Sequence, residues 1–279
     1  MLPSRRLVET VTNAREFLGM DPVGDELHWR LNVVSELTTP ADFLFGGCGL
    51  GAALVALEAA SGRPTVWATA QYLSFAPTHA VLELNVTLAA VGKRITQGRA
   101  VGNVSGSEIL TVNAALGSAG GLDASGVWVT APVVPRPEDC PPRRLPNFIS
   151  ASIFDRIDVR IAKGRSFEEL VDGPIAPGDP DTALWARVPG HLEPSAATLA
   201  IIGDYVTGAI SQPLGRRVMA RSLDNTLRIV SLEPTEWVLC DIRMDAVVDG
   251  FGQGSAYLWS EHGTLLATAS QSMTVRAWD

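Results

Sequence analysis

Three polar side chains stand in segments that are otherwise apolar. Asp204 lies in Leu199-Ala-Ile-Ile-Gly-Asp-Tyr-Val, Ser222 in Ala220-Arg-Ser-Leu-Asp-Asn, and Gln271 in Ala267-Thr-Ala-Ser-Gln-Ser-Met. A carboxylate, a hydroxyl and a neutral amide on buried elements form a set that can activate water. The carboxylate takes the proton, its pKa free to move with desolvation. The amide and the hydroxyl orient the water, because each can both donate and accept. Such a water attacks a carbonyl carbon when donors also meet the developing oxyanion, and the sequence does not say which backbone N–H groups those are. Singly, each residue has a plainer explanation: Asp204 as a helix carboxylate paired with Arg217 or Arg221, or simply exposed, Ser222 as a strand hydroxyl, Gln271 as a solvent-facing strand residue. Asp224 is a rival carboxylate, expected to cap or hydrogen-bond the neighbouring turn.

The elements that must position these residues occur twice. Phe43-Leu-Phe-Gly-Gly-Cys-Gly-Leu-Gly leads into a nearly all-apolar helix from Ala52 to Ala60, stopped by Gly62-Arg63-Pro64. Its lack of a polar face apart from Glu58 implies burial on most sides. Strand patterns follow at Val66 to Phe75, Val81 to Val91, Gln97 to Val104 and Ile109 to Leu116. After Pro194-Ser195 a second apolar helix is expected through Ile210, closed by Pro213 and Gly215. Strands are then expected at Val218 to Val230, Glu236 to Val248, Gly254 to Trp259 and Thr264 to Arg276. Gln97-Gly98 stands where Gln253-Gly254 stands in the second copy, and the repeat rests mainly on element order. Spacing sets Gly51 opposite Asp204, Thr69 opposite Ser222 and Ala115 opposite Gln271, so the first copy reads as scaffold and pocket wall.

A proline-rich connector, Ala131 to Pro146, separates the copies and cannot be regular helix or central strand. Asn147 to Ile161 reads as an edge-type strand, and Asp172 to Asp181 as a surface loop. The expected organisation is an N-terminal module over residues 1–118, a linker over 119–146 and a C-terminal module over 147–279. A buried helix followed by antiparallel strands, stated twice, implies an α+β fold in which a curved sheet wraps each helix and the sheets join edge to edge.

The 279 residues carry a net charge of −8, with 46% hydrophobic and 19% charged residues, an acidic balance that argues against a nucleic-acid partner. Arg143-Arg144 and Arg216-Arg217 could each hold one anionic group. Cys48, Cys140 and Cys240 are too widely spaced for a disulfide framework or a zinc knuckle, which points to a reducing, cytoplasmic setting. The start of the chain has no apolar run fit for a signal peptide, and no apolar stretch reaches the ~20 residues of a membrane span. His28, His79, His191 and His262 show no ligand spacing, so no metal or cofactor site is expected. The glycines of Gly46-Gly-Cys-Gly-Leu-Gly fail the dinucleotide fingerprint on spacing, and no strand of a βαβ unit precedes them. A helix start that meets the phosphates or pantetheine arm of a CoA stays open.

An ordered C-terminal set of motifs resembles the acyl-CoA thioesterase II family, whose members are two hotdog modules fused in one chain. It comprises Ser222-Leu-Asp-Asn-Thr, Glu236-Trp237, Gly250-Phe-Gly-Gln-Gly and Gly263 to Arg276 around Gln271. The resemblance implies a double hotdog fold, acyl-CoA as substrate, and hydrolysis by water held by Asp204, Ser222 and Gln271; association of such chains into homo-oligomers would be consistent with it. Thr also serves at the hydroxyl position in the family. The first copy lacks a His that many relatives carry near Ala68-Thr69-Ala70. Two other classes remain open on this fold: an enoyl-CoA hydratase, although Asp224-Asn-Thr-Leu-Arg does not supply the Asp-x-Asn-x-x-His element, and an acyl-CoA-binding protein without turnover.

Overall fold

The computed structural model describes residues 13–118, 120, 125–144, 151–166, 169–170, 176–189 and 194–278. His191 and residues 145–150 and 171–175, on which part of the edge strand and loop readings fall, lie outside them. The described strands make one 13-stranded antiparallel sheet. Its N-terminal half holds β1 (Met20–Val23), β2 (Asp25–Asn32), β3 (Thr65–Tyr72), β4 (Val81–Val91), β5 (Ile95–Val104) and β6 (Ser107–Gly117). Its C-terminal half holds β7 (Asp158–Lys163), β8 (Asp181–Arg187), β9 (Val218–Ser222), β10 (Asp224–Ile229), β11 (Val238–Val248), β12 (Phe251–Ser260) and β13 (Leu265–Ala277). The spatial order is β1-β2-β4-β5-β6-β3-β10-β13-β12-β11-β8-β7, with β9 on β13. In β4, Leu82, Leu84 and Val86 are buried while Val81, Glu83 and Asn85 face out, the period of two that one wet face imposes.

A helix lies against each half-sheet, preceded in the chain by the short α1 (Ala14–Leu18). The first, α2 (Gly46–Ser61), begins six residues earlier than the sequence pattern indicates and takes in the glycines that the pattern sets ahead of it. Glycine costs helix propensity, and here the close helix contact explains it. A Cβ on Gly47 would stand 2.8 Å from the Ala200 carbonyl oxygen and 2.8 Å from the Ile201 Cα, both backbone atoms that cannot move aside. The stretch from Asn147 also departs from expectation, since Ile153–Arg156 is a helical turn, α3, and only the edge strand β7 is extended. The second apolar helix is broken as well. It runs as α4 (Ala196–Ile202), capped by the Ser195 hydroxyl accepting from the Thr198 N–H, then a 3-10 turn Gly203–Tyr205, then α5 (Val206–Ala209) and α6 (Ser211–Leu214). The kink falls on Asp204, at φ −84° and ψ 20°.

The half-sheets join edge to edge through β3 and β10, as the repeat implies, with Thr69 directly opposite Thr226 and their hydroxyls 2.8 Å apart. Thr69 also pairs with Asn113 and Thr226 with Ser270, so the two threonines are equivalent and a local dyad runs between them. Thr69 is therefore the counterpart of Thr226, not of Ser222 as the spacing implies. Between the pairs Ser222–Met273 and Thr226–Ser270 the β9–β10 chain takes four steps and β13 takes three. That extra residue is a bulge, held where the Asp224 carboxylate accepts the Ser272 N–H at 2.7 Å. The pairs Gly98–Ala114 and Gly254–Gln271 likewise make Ala114, not Ala115, the counterpart of Gln271, because the two connecting turns differ in length. The proline-rich connector packs over the outer face of the C-terminal half, where the Trp185 indole donates to the Pro135 carbonyl at 2.9 Å. Among the described residues no helix is long and apolar enough to cross a membrane.

Candidate functional site

The bulge decides which side chains meet. Without it, alternation would put Ser222 and Asn225 on opposite faces of the sheet; with it, both turn toward the helices, on the side of Gln271 and Met273. Asp204 comes to the same place from the kink. The residue is 3% exposed, and Asn225 and Gln271 are as deeply buried. Oδ1 accepts from the Gln271 side-chain amide and from the Asn225 amide at 3.1 Å. Oδ2 accepts from the Gly47 N–H at 2.6 Å, at the N-terminus of α2. The helix dipole and that N–H favour negative charge there. The carboxylate is thus held by both halves of the chain.

Burial dominates its titration. Desolvation raises the Asp204 pKa to about 7, against hydrogen bonds from Gln271, Gly47 and Asn225 that each pull it down. A carboxyl poised near neutrality is suited to taking and returning a proton. The Gln271 carbonyl oxygen is buried and has no partner among the described residues, so it can still accept. Tyr72 reaches in from the N-terminal half and donates to the Gly46 carbonyl at 2.9 Å. Burial first, then the nearby Asp204 charge, holds that phenol protonated well above its usual range. Gly46 is wedged here, since a Cβ would lie 2.9 Å from Asp204 Oδ2 and 3.1 Å from the Tyr72 hydroxyl.

Of the three residues singled out in the sequence, the structure brings Asp204 and Gln271 into contact. Ser222 shares their face, half-buried, diagonal to Gln271 across the strand pair, and makes no hydrogen bond to Asp204 among the described residues. Asp204 pairs with neither Arg217 nor Arg221; its partners are the three neutral donors. Asn225, Tyr72 and the Gly47 N–H were missed. Asn225 left one signal, as a polar residue in register with the inward-facing Leu227 of β10. Around the dyad, Ala68 and Ala114 occupy the positions of Asn225 and Gln271, so the N-terminal half has no matching polar set. No cluster of potential metal ligands occurs among the described residues.

Residues 137–275 match the model of the acyl-CoA thioesterase C-terminal domain. A thioesterase candidate from Novosphingobium aromaticivorans DSM 12444 is 32% identical, with a TM-score of 0.81 over 91% of this chain and 97% of that one. The chain belongs to the acyl-CoA thioesterase family. Its double hotdog fold is shared more widely. A hotdog protein of unknown function from Alicyclobacillus acidocaldarius, 20% identical, superposes with a TM-score of 0.80 over 96% of this chain and 100% of its own. The acyl-CoA thioesterase II of Mycobacterium marinum, 17% identical, gives 0.72 over 95% and 98%. No curated protein sequence gives a match. The family's C-terminal domain contains Asp204, Ser222, Asn225 and Gln271, whereas Gly46, Gly47 and Tyr72 lie outside the matched span.

Proposed function

We propose that this thioesterase hydrolyses an acyl-CoA to the free acid and CoA by activating a water at Asp204. The observation that carries the reading is the buried Asp204 carboxylate, with a pKa raised to about 7, fixed by Gln271, Asn225 and the Gly47 N–H. The water is held between the Ser222 hydroxyl and the free carbonyl oxygen of Gln271. Side chains at diagonal positions of an antiparallel pair stand about 7–8 Å apart, a gap one water can bridge. As the water oxygen bonds to the thioester carbon, its proton passes to Asp204. The carbonyl electron pair moves onto oxygen. The Gly46 N–H has no backbone or side-chain partner among the described residues and begins a 16-residue helix, which supports it as a donor to that oxyanion. Collapse of the tetrahedral adduct breaks the carbon–sulfur bond, and the departing thiolate takes the proton back from Asp204.

Purified protein should release free thiol from acyl-CoA, and Asp204→Asn or Gln271→Ala should lower that rate by about two orders of magnitude or more. Unchanged rates in both variants would sink the assignment of the site. Addition of water to an enoyl-CoA, or tight acyl-CoA binding without release of thiol, would replace the activity itself.

A further inference from the structure

The chain is acidic overall, yet one corner beside the candidate site is built the other way. β9 and the C-terminal end of β13 run antiparallel with Met219 opposite Arg276 and Arg221 opposite Thr274, so Arg221 and Arg276 share the outer face, the opposite face from Ser222. They are diagonal neighbours, which stand about 7–8 Å apart. Arg216 precedes them in the turn, and the Arg217 guanidinium lies 3.2 Å over the Trp278 ring. Among the described residues, no carboxylate forms an ion pair with Arg216, Arg221 or Arg276. Like charges grouped on a strand repel each other and are stabilised by a counter-anion.

The strands part at this corner. Tyr72 N–H still bonds to the Leu223 carbonyl, but Leu73 and Ser74 turn away to Ile109, and among the described residues β9 pairs with β13 alone. One side of the opening is β9; the other is the segment from Leu73 to Phe75. Leu73 is 50% exposed and Phe75 46%, apolar surface at the rim of a polar site. The Arg221 guanidinium spans the gap to stack 5.0 Å from the Phe75 ring, and Phe75 in turn packs on Phe43, three residues before Gly46. The basic corner therefore borders the place where the chain leads in to Asp204.

We propose that Arg221 and Arg276 bind the phosphates of the CoA nucleotide while the thioester arm passes inward between β9 and Phe75. This rests on the thioesterase reading of the site and adds the basis on which the carrier is recognised. Guanidinium groups on a rigid strand pair suit phosphate oxygens, and the rings beside them offer a face to the adenine. The corner thus selects thioesters that carry the nucleotide over the same acyl group on a short thiol.

The test compares wild type with the Arg221→Gln/Arg276→Gln double variant on one acyl group carried by CoA and by N-acetylcysteamine. The expected result is a loss of about tenfold or more in kcat/KM for acyl-CoA, taken through KM, with the N-acetylcysteamine thioester unaffected. Equal losses on both thioesters, or none on either, would overturn the proposal. A loss confined to acyl-carrier-protein thioesters would overturn it too, by giving the corner to a protein partner. Calorimetric binding of adenosine 3′,5′-bisphosphate, expected for wild type and weakened in the variant, reads the corner independently of turnover. If no thioester is hydrolysed, the function fails while this measurement still decides the corner.

Discussion

Replacing Gln271 by leucine removes one of the three donors that hold the Asp204 carboxylate and leaves a side chain of similar size. A hydrogen bond to a charged group contributes about 1.5–3 kcal/mol. At about 1.4 kcal/mol per pKa unit, its loss raises the Asp204 pKa by about one to two units. Burial already holds that group at about 7, so the variant's midpoint belongs at about 8 to 9. A base at Asp204 would work only when ionised, so wild-type kcat/KM should fall about tenfold per unit as pH drops below that midpoint. The variant's acid limb should lie one to two units further alkaline, by about the shift just derived, on top of a lower plateau from the lost water ligand. The assay is thiol release from one acyl-CoA across the pH range, fitted for the acid limb and the plateau separately. An acid limb coincident with wild type, whatever the plateau, would refute the role of Gln271 in setting the base.

Stability should carry the same signature with a known sign. The folded pKa of Asp204 is raised, so its contribution to stability is complete below the unfolded value near 3.8 and is lost as pH rises through about 7. Above that window the ionised carboxyl costs about 4 kcal/mol. The stability difference between wild type and Asp204→Asn, followed by urea unfolding, should therefore shift toward the variant from pH 4 to pH 7, even as the variant loses activity. Gly47→Ala places a methyl group 2.8 Å from two backbone atoms of α4 and should destabilise the fold by about 1–3 kcal/mol with a parallel loss of turnover. Cys48 is fully buried and its thiol is pushed far up by desolvation, so Cys48→Ala should retain turnover and thiol reagents should spare the folded protein.

Much of the architecture was legible because it rests on periodicity. The alternation in β4 and the all-apolar run of α2 are burial patterns, and burial is what the half-sheets and helices share. Asp204 and Gln271 were legible for the converse reason, as polar residues where burial was expected. The rest depended on register. A bulge of one residue at Leu223-Asp224 reverses every later side chain, and no local pattern marks it before the Asp224 carboxylate is seen bonded to Ser272. It moved the equivalent of Thr69 from Ser222 to Thr226 and hid Asn225, whose neighbour drew attention as the rival carboxylate. The glycines of α2 read as a lead-in to the helix since their reason is the Ala200 carbonyl of another helix, distant in sequence. Tyr72 carried no signal, being an ordinary strand aromatic until the dyad folds it over Gly46.

The Thr69–Thr226 dyad has a consequence for how the chain can be altered. Two identical subunits meeting about such an axis would be bound to carry any substitution twice, once for each active centre. Here the two sides have become separately mutable. Alanines could settle at 68 and 114 while Asn225 and Gln271 stayed, and the helix start at Gly46-Gly47 could keep serving a carboxylate that its own half no longer possesses. Cutting the chain in the connector would thus sever the Asp204 carboxylate from the Gly47 N–H that meets it, leaving neither fragment with the whole set, though each retains its own helix and strands.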